Sequence, residues 1–169
     1  MSSSPLKITP TESVTLVSST PDALVVEAVY GPSSKKPPAH LHPEQDEHFE
    51  VLAGSVRAQL DGDERTLEAC DTLDIPRGTV HQMWNPGPGE ARVRWETAPA
   101  GRTEQWFRAI DRLHREGRVG SNGMPGPLAF GVLLSEYRDV FRLAAGPDPV
   151  VRTGLSILGK VGRARGYRP

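Results

Sequence analysis

A chain of 169 residues has room for one domain with a sizeable core and is too short for two independent ones. A formal net charge of -1 supplies neither a basic field for nucleic acid nor an acidic tail, and the single cysteine excludes an intramolecular disulfide framework. The 17 glycines and 16 prolines exceed the usual combined share of roughly 12%, which calls for many turns and short strands rather than a helix bundle.

The start, "MSSSPLKITP", has no apolar h-region, and no apolar run reaches spanning length. The expected setting is the cytoplasm, with no membrane partner. From there to about Ala100 the apolar spacing has the period of strands. "TESVTLVSS" sets Val14 and Leu16 on one face, and "ALVVEAVY" sets Leu24, Val26, Ala28 and Tyr30 on one face. "HFEVLAG", "SVRAQLDG", "DTLDIPRG", "TVHQMWNPG" and "ARVRWETA" follow, each short and each ended by turn formers. Such spacing predicts an all-β sandwich or barrel.

Past Ala100 the period changes to that of helices. "TEQWFRAIDRLHREGRV" places Trp106, Ile110 and Leu113 on one stripe, with Thr103 as the expected N-cap and Gly117 as the stop. "LAFGVLLSEYRDVFRLAAG" predicts a second helix ended by Gly146 and Pro147. "PVVRTGLSILGKVGRARG" predicts a third, weakened by its own glycines. The organisation read from the chain is a β domain over 1–100 and a helical extension over 101–169. The extension's apolar stripes need a surface, which is the barrel exterior, a second subunit or the barrel mouth.

Chemistry concentrates in "AHLHPEQDEHFE". On a strand, residues i and i+2 share a face, so His40 and His42 project together. "HPEQD" is rich in turn formers, and a reversal there returns Glu47 to the same side, in parity with Phe49 and Val51. His48 has the opposite parity and points away, as a surface residue or an outer support of the ligands rather than a ligand. His81 opens another strand after a Pro76/Gly78 turn, with Met83 in its parity. Three imidazoles and one carboxylate suit a single divalent transition metal (iron, manganese, nickel, copper or zinc). Glu44 is a rival carboxylate in the turn, expected to be solvated.

The spacing resembles the cupin family. His40-x-His42, four residues, Glu47, six residues and Gly54 is similar to the first cupin motif, with a longer gap after the leading Gly31. "CDTLDIPRGTVHQMWN" is similar to the second at Pro76, Gly78, His81 and Asn85, with Cys70 where the family has glycine. The resemblance spans roughly residues 22–98 and implies a jelly-roll (double-stranded β-helix) barrel, so the fold expected is mainly β, with the two to three C-terminal helices that the periodicity adds. It also implies a metal in the barrel mouth on His40, His42, Glu47 and His81.

Phe49, Met83 and Trp95 share an interior parity and are candidate substrate contacts, with plain core packing as the alternative. Cys70 is expected to be a small buried turn residue, and His114 a solvated helix residue. The basic end, Lys160, Arg163, Arg165 and Arg168, is expected to be a solvated helix end rather than a nucleic-acid or membrane contact. Three functions are compatible with the pattern. One is a dioxygenase-like oxidoreductase acting on a small enol- or phenol-bearing molecule. The second is a non-redox isomerase or lyase acting on a small sugar or acid, with Glu47 as catalytic proton carrier. The third is a non-catalytic ligand-binding module. Cupins often dimerise, so a homodimer is expected.

Overall fold

Frequent Gly, Pro, Asn and Asp punctuation breaks the first hundred residues into strands of two to eight residues. The computed structural model describes residues 4–121, 123–144 and 149–168. In chain order the strands are β1 (Leu6–Thr9), β2 (Glu12–Ser19), β3 (Leu24–Tyr30), β4 (His40–Leu41), β5 (Asp46–Ala53), β6 (Ser55–Leu60), β7 (Asp63–Glu68), β8 (Thr72–Ile75), β9 (His81–Trp84) and β10 (Ala91–Ala98). Helices α1 (Thr103–Arg115) and α2 (Pro127–Glu136), strand β11 (Arg142–Leu143) and helix α3 (Pro149–Ala164) complete the chain.

The strands form two antiparallel sheets, ordered β1-β2-β3-β10-β5-β8 and β11-β4-β9-β6-β7. They make a jelly-roll barrel followed by helices, as the sequence predicts. Alternation decides which face is buried: Leu24, Val26, Ala28 and Tyr30 on β3 are almost solvent-free. Each fully buried Val or Leu contributes roughly 1.5–3 kcal/mol. Gly54 ends the first motif at φ +73, where a Cβ would stand 2.5 Å from the Glu90 carbonyl oxygen, so only glycine fits. Cys70 holds φ +76, so the turn keeps the left-handed geometry that glycine serves elsewhere, and Cys70 bears the strain. It is exposed, not buried as expected, because the turn presents it to solvent.

Helix α1 lies along the edge strand β1. The backbone N–H of Lys7 donates to Asp111 Oδ1 (2.9 Å), and His114 Nε2 donates to the carbonyl oxygen of Ile8 (3.0 Å). These contacts occupy edge groups that would otherwise be open to another strand. His114 is therefore a half-buried bridge to the barrel rather than a purely solvated residue. Thr103 also departs from expectation: it is the first helical residue, with Arg102 at the N-cap, and no side chain caps the helix. Gly117, at φ +64, follows the helix end as predicted.

The second helix is shorter than its apolar pattern suggests. It stops at Glu136, and the following segment turns back to pair β11 with β4, Leu143 opposite His40. Tertiary contacts override the local pattern here. Arg102 bonds Asp139 Oδ2 (3.0 Å) and Glu136 Oε1 (3.2 Å), tying the start of α1 to the turn after α2. The expected stop at Gly146 and Pro147 lies outside the described residues. Two glycines of α3 serve packing: a Cβ would stand 3.0 Å from the Gly131 carbonyl oxygen at Gly159 and 2.8 Å from the Leu128 carbonyl oxygen at Gly162. Barrel and helices share one hydrophobic cluster, running from Val14 and Val51 to Trp106, Leu133 and Val140.

Candidate metal centre

The histidines reach one point from two neighbouring strands. His40 on β4 stands directly opposite His81 on β9. His42 lies just beyond β4, where its own carbonyl oxygen accepts the Gly78 N–H (2.8 Å) and joins the two motifs. Ring centroids are 4.5 Å apart for His40 and His81, and 5.3 Å apart for each of the other two pairs. The three residues offer ligand atoms within 4.8 Å of one another.

Each imidazole is oriented from behind. Nδ1 of His40 faces the Pro38 carbonyl (2.9 Å), that of His42 the Val140 carbonyl (2.6 Å), and that of His81 the Thr79 carbonyl (3.0 Å). A backbone carbonyl only accepts, so in each neutral ring the proton sits on Nδ1 and the Nε2 lone pair is left free. That arrangement is what a metal-binding imidazole requires.

Glu47 approaches from β5 on the side of His42 and His81. Its Oε1 lies 3.3 Å from His42 Nε2 and its Oε2 lies 3.1 Å from His81 Nε2. The indole N–H of Trp95 donates to Oε1 (3.1 Å). His42, Glu47 and His81 are all buried, and His42 Nε2 and Glu47 Oε2 have no partner in hydrogen-bonding geometry. Orphaned buried acceptors are costly, and a cation between them would satisfy both. The donor set thus fits a metal.

The electrostatics agree. Burial, reinforced by His81 and His42, pushes His40 down to about 3. Burial also lowers His42, against the pull of Glu47. For Glu47, burial pushes upward, but His42, His81 and His40 together outweigh it and hold the carboxylate below its usual range. Burial pushes His81 downward, but its contact with Glu47 prevails and raises it. A carboxylate among mainly neutral imidazoles is short of positive charge.

The site opens into a cavity of about 140 Å³. Phe49, Met83 and Trp95 line it from the barrel, as their parity predicts, and Phe49 and Trp95 stack at 5.3 Å. The other wall is the helical extension, so its apolar stripe covers the barrel mouth. Trp106, Phe107 and Ile110 of α1 and Phe130 of α2 face the cavity. Phe141 stacks on His40 (4.6 Å) and on Trp106 (4.9 Å). Sequence periodicity placed Trp106 and Ile110 on an apolar stripe but did not connect that stripe to the site. Glu12, which carried no sequence signal, and Thr103, read from the sequence only as a helix cap, also line the cavity.

Two nearby polar residues face solvent, His48 by its strand parity and Glu44 in the turn. His48 pairs with Asp74 (2.6 Å). Asn85, the last residue of the second motif, has a structural role: its side-chain amide donates to the carbonyls of Tyr30, Gly31 and Gly89. Among the described residues, no helix is long and apolar enough to cross a membrane.

Comparison with known proteins agrees with this geometry. Residues 26–95 match the cupin domain family model. An oxidoreductase of Pestalotiopsis fici is 49% identical over 49 residues, covering 28% of this chain and 24% of that protein. The tetracenomycin polyketide synthase protein TcmJ of Streptomyces glaucescens is 33% identical over 60 residues, covering 36% of this chain and 40% of that protein. The chain therefore spans well under half the length of these relatives. An RmlC-like cupin from Shewanella frigidimarina superposes with a TM-score of 0.54 at 16% identity, covering 60% of this chain and 87% of that one. KdgF from Halomonas superposes with a TM-score of 0.51 at 21% identity, covering 57% and 88%. Those two likenesses concern the fold alone. Barrel topology, motif spacing and family match together identify residues 26–95 as a domain of the cupin superfamily.

Proposed function

We propose that this chain is a metal-dependent oxidoreductase of the dioxygenase type, acting on a small enol- or phenol-bearing molecule. His40, His42, His81 and Glu47 would hold one divalent transition metal. The observation that carries the reading is the pairing of that donor set with a small cavity walled mainly by aromatic and aliphatic side chains. Such a wall suits a flat ring or enol, whereas a sugar needs a hydrogen-bond partner for each hydroxyl. The distant relatives named as oxidoreductases support the same direction.

Bound there, the metal would supply Lewis acidity and a redox centre for dioxygen. The chain's own residues do the rest. Phe49, Met83 and Trp95 hold the substrate ring from the barrel side, while Trp106 and Phe141 close over it and exclude water. Glu47, steadied by the Trp95 indole on Oε1, would present Oε2 to the metal beside the three imidazoles.

The test is oxygen uptake by iron-loaded protein with a catechol or a β-diketone. Uptake is expected and should vanish in His42→Ala; uptake that survives the substitution overturns the proposal. Turnover under anaerobic conditions with zinc would instead favour isomerase or lyase chemistry. A homodimer in the cytoplasm belongs to the same proposal, and sedimentation of the full chain at a single-protomer mass would remove its dimeric part.

A further inference from the structure

Away from the metal donors, the cavity wall carries a second polar group. Glu12 on β2 and Tyr30 on β3 are register partners, and both line the cavity that holds His40, His42, His81 and Glu47. Their side chains hydrogen-bond to each other. The pair lies at a different level of the barrel: Tyr30 is opposite Ala91 on β10, whereas Glu47 is opposite Thr97, farther along the same strand. Tyr30 is buried, and Glu12 is half-buried beside it.

A carboxyl set among apolar walls is costly unless something compensates for it. No Lys or Arg among the described residues ion-pairs with Glu12, and Tyr30 supplies its one side-chain hydrogen bond. Burial raises the carboxyl to about 7, with the Tyr30 bond pulling the other way, so at neutral pH it can either accept or donate. A core that needed only to be filled would be served better by an apolar side chain at this position.

We propose that Glu12 is the hydroxyl-recognising group of the cavity, oriented by Tyr30, and that the ligand is a single ring bearing a polar substituent. The cavity, about 140 Å³, has the capacity for one ring. The stacked pair Phe49/Trp95 and the Trp106 ring supply its flat walls. A ligand hydroxyl then meets Glu12 while the ring packs on the aromatics. This rests on the proposed site being the ligand site, but not on redox turnover.

The experiment uses the full chain loaded with zinc, so that no oxidation intervenes. Binding of 4-fluorophenol and of fluorobenzene is followed by fluorine NMR in wild type, Glu12→Leu and Tyr30→Phe. Loss of a buried hydrogen bond predicts that Glu12→Leu weakens 4-fluorophenol about tenfold and Tyr30→Phe about threefold, with fluorobenzene unchanged within about twofold. Retained fluorobenzene binding also shows that the variants fold. The proposal is overturned by any of three results: no wild-type preference for the phenol, unchanged phenol affinity in Glu12→Leu, or equal loss of both probes. Oxygen uptake is measured separately, so either proposal can fail while the other stands.

Discussion

Nδ1 of His42 lies 2.6 Å from the carbonyl oxygen of Val140, a residue 98 positions later in the chain. The last turn after α2 thus sets the tautomer of a metal-site histidine, and the next residue, Phe141, stacks on His40. The helical extension is part of the candidate site, although it lies outside the segment that matches the family.

Phe141→Ala should therefore do two things. Removing a ring that joins His40 to Trp106 should cost about 3 kcal/mol, read by denaturant unfolding of metal-free protein. It should also weaken zinc binding about tenfold, read by competition with a chelating dye, because an outer support of the ligand ring is lost. Unchanged zinc affinity would mean that Phe141 is only a packing residue.

Metal content separates ligands from bystanders. His42→Ala and His81→Ala should each lower zinc affinity by at least about tenfold, while His48→Ala, beside exposed Asp74, should retain full stoichiometry. Elemental analysis of the natively expressed protein checks the same point. Loss of metal in His48→Ala alone would reverse the assignment made by strand parity.

Acid should destabilise the metal-free protein through His40. Its folded pKa is lowered from 6.5 to about 3, so between those values the unfolded chain binds more protons. Stability from this group is full above pH 6.5 and falls as pH drops towards 3. His42 and Glu47, both lowered, act in the same direction. Raised His81 favours the fold at low pH, and raised Glu12 disfavours it as pH climbs towards 7, so both oppose the trend. Comparing the melting temperature of wild type with His40→Gln from pH 7 to pH 4 isolates the His40 contribution. The variant should show the shallower slope, and parallel curves would contradict the assignment.

Cys70→Gly should stabilise the fold. A non-glycine residue at φ +76 costs roughly 1–2 kcal/mol, and this one is exposed, so no packing is lost in return. A gain of about 1 kcal/mol is expected by urea unfolding, against none for Cys70→Ala, which keeps a Cβ. Equal behaviour of the two variants would show that the turn relaxes without glycine.

Much of the site was legible in the chain because strand geometry is local. A period of two separates inward Glu47, Phe49 and Val51 from outward His48, and the short reversal at "HPEQD" returns Glu47 to the histidines. The spacing of the two motifs carries the rest of the donor set. Helix existence was legible too, since Trp106, Ile110 and Leu113 recur with the helical period.

What only the tertiary structure decided are the contacts between segments distant in sequence. Periodicity says that a face is apolar but not what it packs against, so it left the extension three possible surfaces. Nor does it show that α2 ends at Glu136, because Arg102 holds Asp139 and a two-residue strand pairs with β4. The carbonyl of Val140 carries no side-chain signal at all, and Glu12 reads as an ordinary polar position at a strand start. The donor set follows from the alternation of side chains along single strands. The closed, aromatic cavity around it follows from packing helices onto the barrel mouth, which no local pattern encodes.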